Sequence, residues 1–220
     1  MDFSNDLNLN SERSLKSLSL FSYVRAYNLI YQISFDTNQN LNFEDLNMVN
    51  NTLGGRKSPT IRLAIAAIMA ALVSVSTLII RIPIPSTAGY INIGDVMIFV
   101  SGLTFGQIIG GFAGGVGSAI ADLIGYPAYA PLTLVVKGLE GFLAGRISNG
   151  KNKMRDLFAV IGGGTIMILG YYLGESFIMG VGPIAALEEV PGNFFQILTG
   201  GIVGIPLSIA IRRYIVIPRW

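Results

Sequence analysis

The chain has 220 residues, 51% of them hydrophobic and only 13% charged, with a formal net charge of +2. Soluble domains carry about 25% charged residues, and so small a positive charge leaves no electrostatic footprint for nucleic acid. Cysteine and histidine are absent, which excludes disulfides, thiolate nucleophiles, imidazole acid–base chemistry and the usual zinc sites. The carboxylates show no EF-hand spacing, so neither a metal nor a cofactor is expected.

All 27 glycines and all 9 prolines lie beyond residue 53. Residues 1–57 are instead rich in Asn, Ser, Asp and Leu and form a polar N-terminal segment with no assigned role. Residues 18–34 suit one amphipathic helix, but Arg25, Asn28 and Gln32 argue against a span. A basic start and a small-residue cleavage site are missing, so a signal peptide is not expected. Two readings of the segment stand: a cytoplasmic appendage, or sequence upstream of a true start at Met48.

Residues 58–220 read as an all-α integral membrane protein of six transmembrane helices, some short or broken by glycine. Ile61–Ile80 is the first span, long enough as a helix to cross roughly 30 Å of hydrocarbon. Ser58-Pro59 starts it, and Pro83 and Pro85 prevent its continuation. Residues 81–93 are expected to be a connecting loop. No charged side chain occurs from Val96 to Ala121, which predicts two short segments at 94–105 and 107–124, with a re-entrant hairpin as the alternative. Gly102, Gly106, Gly110 and Gly114 step by four, the spacing of one close-packing helix face. Tyr129–Ile147, Leu157–Gly180 and Asn193–Ile211 complete the six. Three basic clusters (Arg56, Lys57 and Arg62; Arg146, Lys151, Lys153 and Arg155; Arg212, Arg213 and Arg219) then share one side, opposite Glu188 and Glu189. The positive-inside rule places both termini in the cytoplasm of a multi-pass cell-membrane protein. Arg81 alone breaks the pattern.

Polar groups within spans are costly in lipid and point to a cavity. Lys137 and Glu140 lie three apart on one helical face, as an internal ion pair or as cavity lining. Glu175 lies one turn beyond Tyr171 and Tyr172; a carboxylate beside aromatic rings suits a flat heterocycle, and a tyrosine belt with a snorkelling glutamate is the alternative. Asn193 and Gln196 open the last span, with Gly200 and Gly204 following on roughly the same face; Asn193 also suits a helix cap. Asp95 and Asp122 are expected near the outer face, Asp95 as a helix-start carboxylate and Asp122 as lining. Tyr90 and Asn92 are candidate lid residues. The candidate substrate-binding set is therefore Tyr90, Asn92, Asp122, Lys137, Glu140, Tyr171, Glu175, Asn193 and Gln196. Ala66, Ala67, Ala70 and Ala71 give the first helix a small-residue surface suited to another helix.

From residue 58 onward the chain resembles the substrate-binding S components of energy-coupling factor (ECF) vitamin transporters. The resemblance rests on the alanine-rich first helix, GYINIGD at 89–95, GGVGSAIADL at 114–123, YAPLTLVVKGLEGFLAG at 129–145 and PGNFFQILTGGIVGIPL at 191–207. It implies a six-helix membrane protein that takes a vitamin or precursor from outside and hands it inward. Its partners would be one transmembrane coupling protein and two ATPase subunits, besides membrane lipid. The docking motif of the family maps to Ala66/Ala70, with Ala67/Ala71 one step along. The ligand sites of the family map onto Tyr90, Asn92, Lys137, Glu140, Glu175, Asn193 and Gln196.

The chain has no GxxxxGK[ST] phosphate loop, so it is not itself the ATPase. The leading expectation is a capture subunit, not an enzyme, for a pyrimidine or pyridine vitamin such as a thiamine precursor or pyridoxine, with riboflavin open. A stand-alone secondary transporter is the alternative.

Overall fold

The computed structural model describes residues 59–84, 89–214 and 219–220. These belong to a compact unit spanning Pro59–Trp220. The reading of residues 1–57 falls outside the described residues.

Helix α1 (Pro59–Ile79) leads into a hairpin of β1 (Arg81–Ile84) and β2 (Gly89–Asn92). Helices α2 (Gly94–Phe105), α3 (Gln107–Gly125), α4 (Ala130–Ile147) and α5 (Lys153–Leu173) follow, and a π-turn over Gly174–Ile178 extends α5. A short α6 (Pro183–Leu187) precedes α7 (Val190–Tyr214). The six expected helical segments are present as α1–α5 and α7. The expected loop at 81–93 is instead an antiparallel hairpin with Arg81 opposite Asn92 and Ile84 opposite Gly89. The alternation Arg-Ile-Pro-Ile carries a strand signal that the two prolines mask.

Among the described residues, four stretches are long and apolar enough to cross a membrane: Pro59–Ile79, Gln107–Gly125, Lys153–Ile178 and Pro183–Arg213. The apolar run of α4 is interrupted by Lys137, Glu140 and Arg146, and α2 is apolar but short, about 18 Å at 1.5 Å per residue. Length is not what α2 contributes. Nearly all of its residues are buried, and it packs against α1, α3, α4 and α7 as the central helix of the bundle.

Apolar side chains such as Leu63, Ile68, Val135 and Phe158 remain exposed, as expected where lipid covers the surface. Lipid tails are as apolar as leucine, so helix association depends on close packing and polar contacts. Both occur here. The chain turns between α2 and α3 at Gly106, whose φ of 98° favours glycine. The glycine series at 102–114 therefore does not line one helix. Gly102 sits on α2 and Gly110 and Gly114 on α3, and all three face α4: a Cβ on Gly102 would lie 2.8 Å from the Gly141 carbonyl oxygen, one on Gly110 would run into the same oxygen, and one on Gly114 into that of Lys137. Where α1 meets α3, Ser74 Oγ donates to the Gly117 carbonyl at 2.5 Å.

At the end opposite the hairpin, Asp156 is almost wholly buried. It accepts from Arg212 Nη2 at 2.5 Å and from Ser148 Oγ at 2.6 Å. Arg219 donates to the Gly102 and Gly145 carbonyls at 3.4 and 3.3 Å. The basic clusters at 146–155 and 212–219 thus meet at one end of the bundle.

Candidate functional site

A polar cavity opens near the hairpin end and is lined from five helices and β2. Helix α4 supplies Thr133 and Lys137, with Tyr129 at the cap position before it; the three share a face because they are spaced by four. Helix α3 supplies Ser118 and Asp122 at the same spacing, and α1 and α5 supply Thr77 and Tyr171. Gly89, Tyr90 and Asn92 come from β2; Asn193 and Gln196 come from α7, with Glu189 immediately before it. The cavity itself is narrow, about 20 Å³, and reaches about 370 Å³ only when the space between side chains and the open solvent at its mouth are counted.

Lys137 is buried. It pairs with Asp95 on α2 and, at 3.1 Å, with Glu140 Oε2 on its own helix. Its Nζ also lies 5.8 Å from the centre of the Tyr171 ring. Both readings of this pair hold in part: Lys137 lines the cavity while ion-paired, whereas Glu140 is buried behind it and is not among the lining residues. Asp95 is not at an outer surface. No side-chain cap bond forms at the start of α2, and the short helix holds Asp95 within the bundle against Lys137.

Tyr171 Oη donates to Thr133 Oγ1 at 3.0 Å, which bridges α5 and α4. Gln196 links two elements: its Nε2 donates to Asn193 Oδ1 at 2.9 Å, and its Oε1 accepts from the Asn92 backbone N–H at 3.2 Å. Asn193 is therefore not a helix cap. It lies inside α7, because that helix already begins at Val190 with Pro191 in its first turn, where proline is tolerated. Asn92 Oδ1 accepts from the Gly94 N–H at 2.8 Å, so this residue anchors the entry to α2 rather than forming a free lid.

Tyr90 and Tyr126 stack with ring centres 4.6 Å apart. The Arg81 guanidinium lies 4.8 Å from one ring centre and 5.5 Å from the other. Its Nη2 donates to the Ala121 carbonyl at 2.6 Å, in the last turns of α3, where the macrodipole is negative. Those contacts, a helix end and two aromatic faces, hold the one basic residue that breaks the expected charge pattern. The Tyr90 hydroxyl donates to Asp122. Burial, then the neighbouring Asp122 charge, pushes the Tyr90 phenol above its ordinary value, so it stays protonated as a donor.

Seven of the nine candidate residues thus line one space: Tyr90, Asn92, Asp122, Lys137, Tyr171, Asn193 and Gln196. Glu140 and Glu175 do not, although both are fully buried. The sequence reading missed Ser118 and Thr133, which the spacing of four from Asp122 and Lys137 would have found. It also missed Glu189, counted only among the charges opposite the basic clusters. On α1, Ala66 and Ala70 are buried against the bundle, whereas Ala67 and Ala71 are exposed. Ala66/Ala70 is therefore an internal packing pair in this fold, and Ala67/Ala71 is the pair on the free face.

An apolar helical bundle with a polar cavity near one end defines a multi-pass membrane protein built around a small-solute site. The sequence model of the ECF-type riboflavin transporter S component matches residues 57–213, and the chain belongs to that family. It is a substrate-binding subunit, of the kind that works with an energy-coupling module and binds a small vitamin. A Pyrococcus woesei relative, described as an uncharacterized protein in the gap 3' region, is 44% identical over 144 residues, covering 65% of this chain and 96% of its own length. A solved S component of a bacterial ECF transporter superposes with a TM-score of 0.59 at 18% identity, covering 71% of this chain and 98% of the other. At that identity the likeness is one of fold. The matched family is the riboflavin one, so the expected preference for a pyrimidine or pyridine ligand gains no support from it.

Proposed function

We propose that this chain captures riboflavin or a closely related flavin at the hairpin end and delivers it inward. Delivery would occur in a complex with a transmembrane coupling protein and two ATPase subunits. Both termini would lie in the cytoplasm, lipid would cover the apolar faces, and the hairpin would face outside. Family membership is the observation that carries the reading.

The cavity's chemistry supports it. A flavin presents a flat ring system with alternating acceptor and donor edges and a chain of hydroxyls. Tyr90, stacked on Tyr126 and beneath Arg81, offers a braced aromatic ring to the cavity. Deeper in, Asn193, Gln196, Thr133 and Lys137 supply donors and acceptors from different helices, which is the composition of a specific small-molecule site. Ala67 and Ala71 are the residues proposed to meet the coupling protein.

The test is binding to the detergent-purified full chain, read by quenching of flavin fluorescence and by thermal stability. Riboflavin at about 100 times its Kd should stabilise the protein by about 2.7 kcal/mol, whereas thiamine and pyridoxine should not. Stabilisation by either of those, without any by riboflavin, refutes the flavin assignment. Uptake in cells that persists without any ATPase would favour the stand-alone transporter.

A further inference from the structure

Thr77, near the C-terminal end of α1, is 2% exposed and lines the cavity. A hydroxyl inside a helix ordinarily bonds the carbonyl four residues back, which for Thr77 is that of Val73. Elsewhere in the bundle this bond forms: Ser76 donates to Leu72 at 2.8 Å, Thr165 to Ile161 at 2.8 Å and Ser208 to Gly204 at 2.7 Å. Thr77 does not make it. Its Oγ1 has no hydrogen-bond partner among the described residues, in its own helix or across from it.

Gly94 shows where the hydroxyl points instead. A Cβ on this glycine, the first residue of α2, would run into Thr77 Oγ1 and lie 2.8 Å from Asn92 Oδ1. The hydroxyl is therefore turned away from its own helix towards the junction of β2 and α2, and a side chain at position 94 would collide with it.

Neighbouring polar groups of the cavity are already committed. Thr133 Oγ1 accepts from Tyr171, and Gln196 joins Asn193 to the Asn92 backbone. Tyr90 donates to Asp122, and Lys137 pairs with Asp95 and Glu140. Thr77 is the one lining residue with a buried side-chain polar atom that the described residues leave unsatisfied. Such a group has given up water and gained nothing for it, which costs stability. We propose that Thr77 is a further ligand-contacting residue, donating its hydroxyl proton to a carbonyl or hydroxyl oxygen of the ligand. The proposal rests on the capture function above, and it adds α1 to the helices that read the ligand.

Four detergent-purified proteins decide the matter: wild type, Thr77→Val, Thr77→Ser and Thr104→Val. Each is melted without ligand and titrated with riboflavin. Valine keeps the shape of threonine and removes the hydroxyl, so Thr77→Val should weaken binding by about tenfold or more, about 1.4 kcal/mol. Without ligand the same change removes an unsatisfied group, and the melting temperature should rise by about 2 °C or more. Thr77→Ser keeps the hydroxyl and should bind within about threefold of wild type. Thr104 Oγ1 is also buried without a partner but lies outside the cavity, so Thr104→Val should raise the melting temperature and leave affinity within about twofold. Wild-type affinity in Thr77→Val, or equal weakening by Thr77→Val and Thr104→Val, overturns the proposal. So does a fall in melting temperature in Thr77→Val, which would give the hydroxyl a structural role. Failure of the wild type to bind riboflavin would instead count against the flavin assignment, with the melting comparison still deciding whether the Thr77 hydroxyl is free.

Discussion

Replacing Lys137 by methionine keeps the side chain's length and apolar stem but removes the cation between Asp95 and Glu140. Both carboxylates are essentially inaccessible, at 1% and 0% exposure, and no other described cation pairs with them. Breaking a buried ion pair by deleting one partner costs about 3–5 kcal/mol, because the charge left behind stays desolvated. Here two charges are left behind, so the upper part of that range applies. For a chain of this size the melting temperature should fall on the order of 10 °C or more. The balance of charges sets the rest of the series. Glu140→Gln leaves one cation facing one anion and should be the mildest change. Asp95→Asn leaves the i,i+3 pair with Glu140 and should be intermediate. The triple change Lys137→Met, Asp95→Asn and Glu140→Gln leaves no buried charge and should recover more than half of the loss. Thermal unfolding in detergent, without ligand, measures all four. A Lys137→Met protein that melts with wild type, or a Glu140→Gln protein that melts below Lys137→Met, would refute the reasoning.

Two further outcomes follow from how the helices pack. A Cβ at Gly141 would lie 2.6 Å from the Gly110 carbonyl carbon, where no side chain can yield, whereas one at Gly138 would meet its nearest neighbour at 3.5 Å. Gly141→Ala should therefore destabilise by about 1–3 kcal/mol through overpacking. Gly138→Ala should be nearly neutral by the same melting assay, and equal effects would show that the α3–α4 contact is looser than described. On α1, Ala67→Leu with Ala71→Leu should abolish co-purification with a coupling protein while leaving riboflavin affinity within about twofold, since both positions are exposed. Ala70→Leu, packed against Gly117 of α3, should lower the melting temperature instead. Retained co-purification in the first variant would show that docking uses another face.

The six helical segments were legible because each left a compositional trace: apolar runs bounded by proline, glycine or charge. The hairpin was not, because Pro83 within a four-residue strand, with Pro85 just after it, outweighs its alternation. Helix periodicity within one segment also placed Lys137, Asp122 and Gln196 on faces that the structure turns to a common space. What it could not supply was depth across helices. Asp95 stands at the start of its helix, so sequence position alone put it near a surface. Only the shortness of α2 and its central packing bring that start down to Lys137. The four-residue glycine step failed for a related reason: it continues through Gly106, where the chain reverses, so an apparent single face is divided between two helices that meet on the third.

The alanine pairs show the same limit on a smaller scale. Ala66/Ala70 and Ala67/Ala71 have identical spacing and chemistry, and they differ only by a rotation of about 100° around the helix axis. Spacing identifies a face that can be approached closely, but not what approaches it. In this fold α3 and the rest of the bundle occupy the first pair, so a partner protein has the second available. The ligand cavity follows the same logic, since its floor is fixed where glycine contacts bring α2, α3 and α4 together around Lys137. Enlarging those glycines would move the Asp95–Lys137 pair as well as the helices. Close packing and ligand recognition are therefore set by the same few positions, and variants at Gly110, Gly114 or Gly141 should lose flavin affinity and stability together.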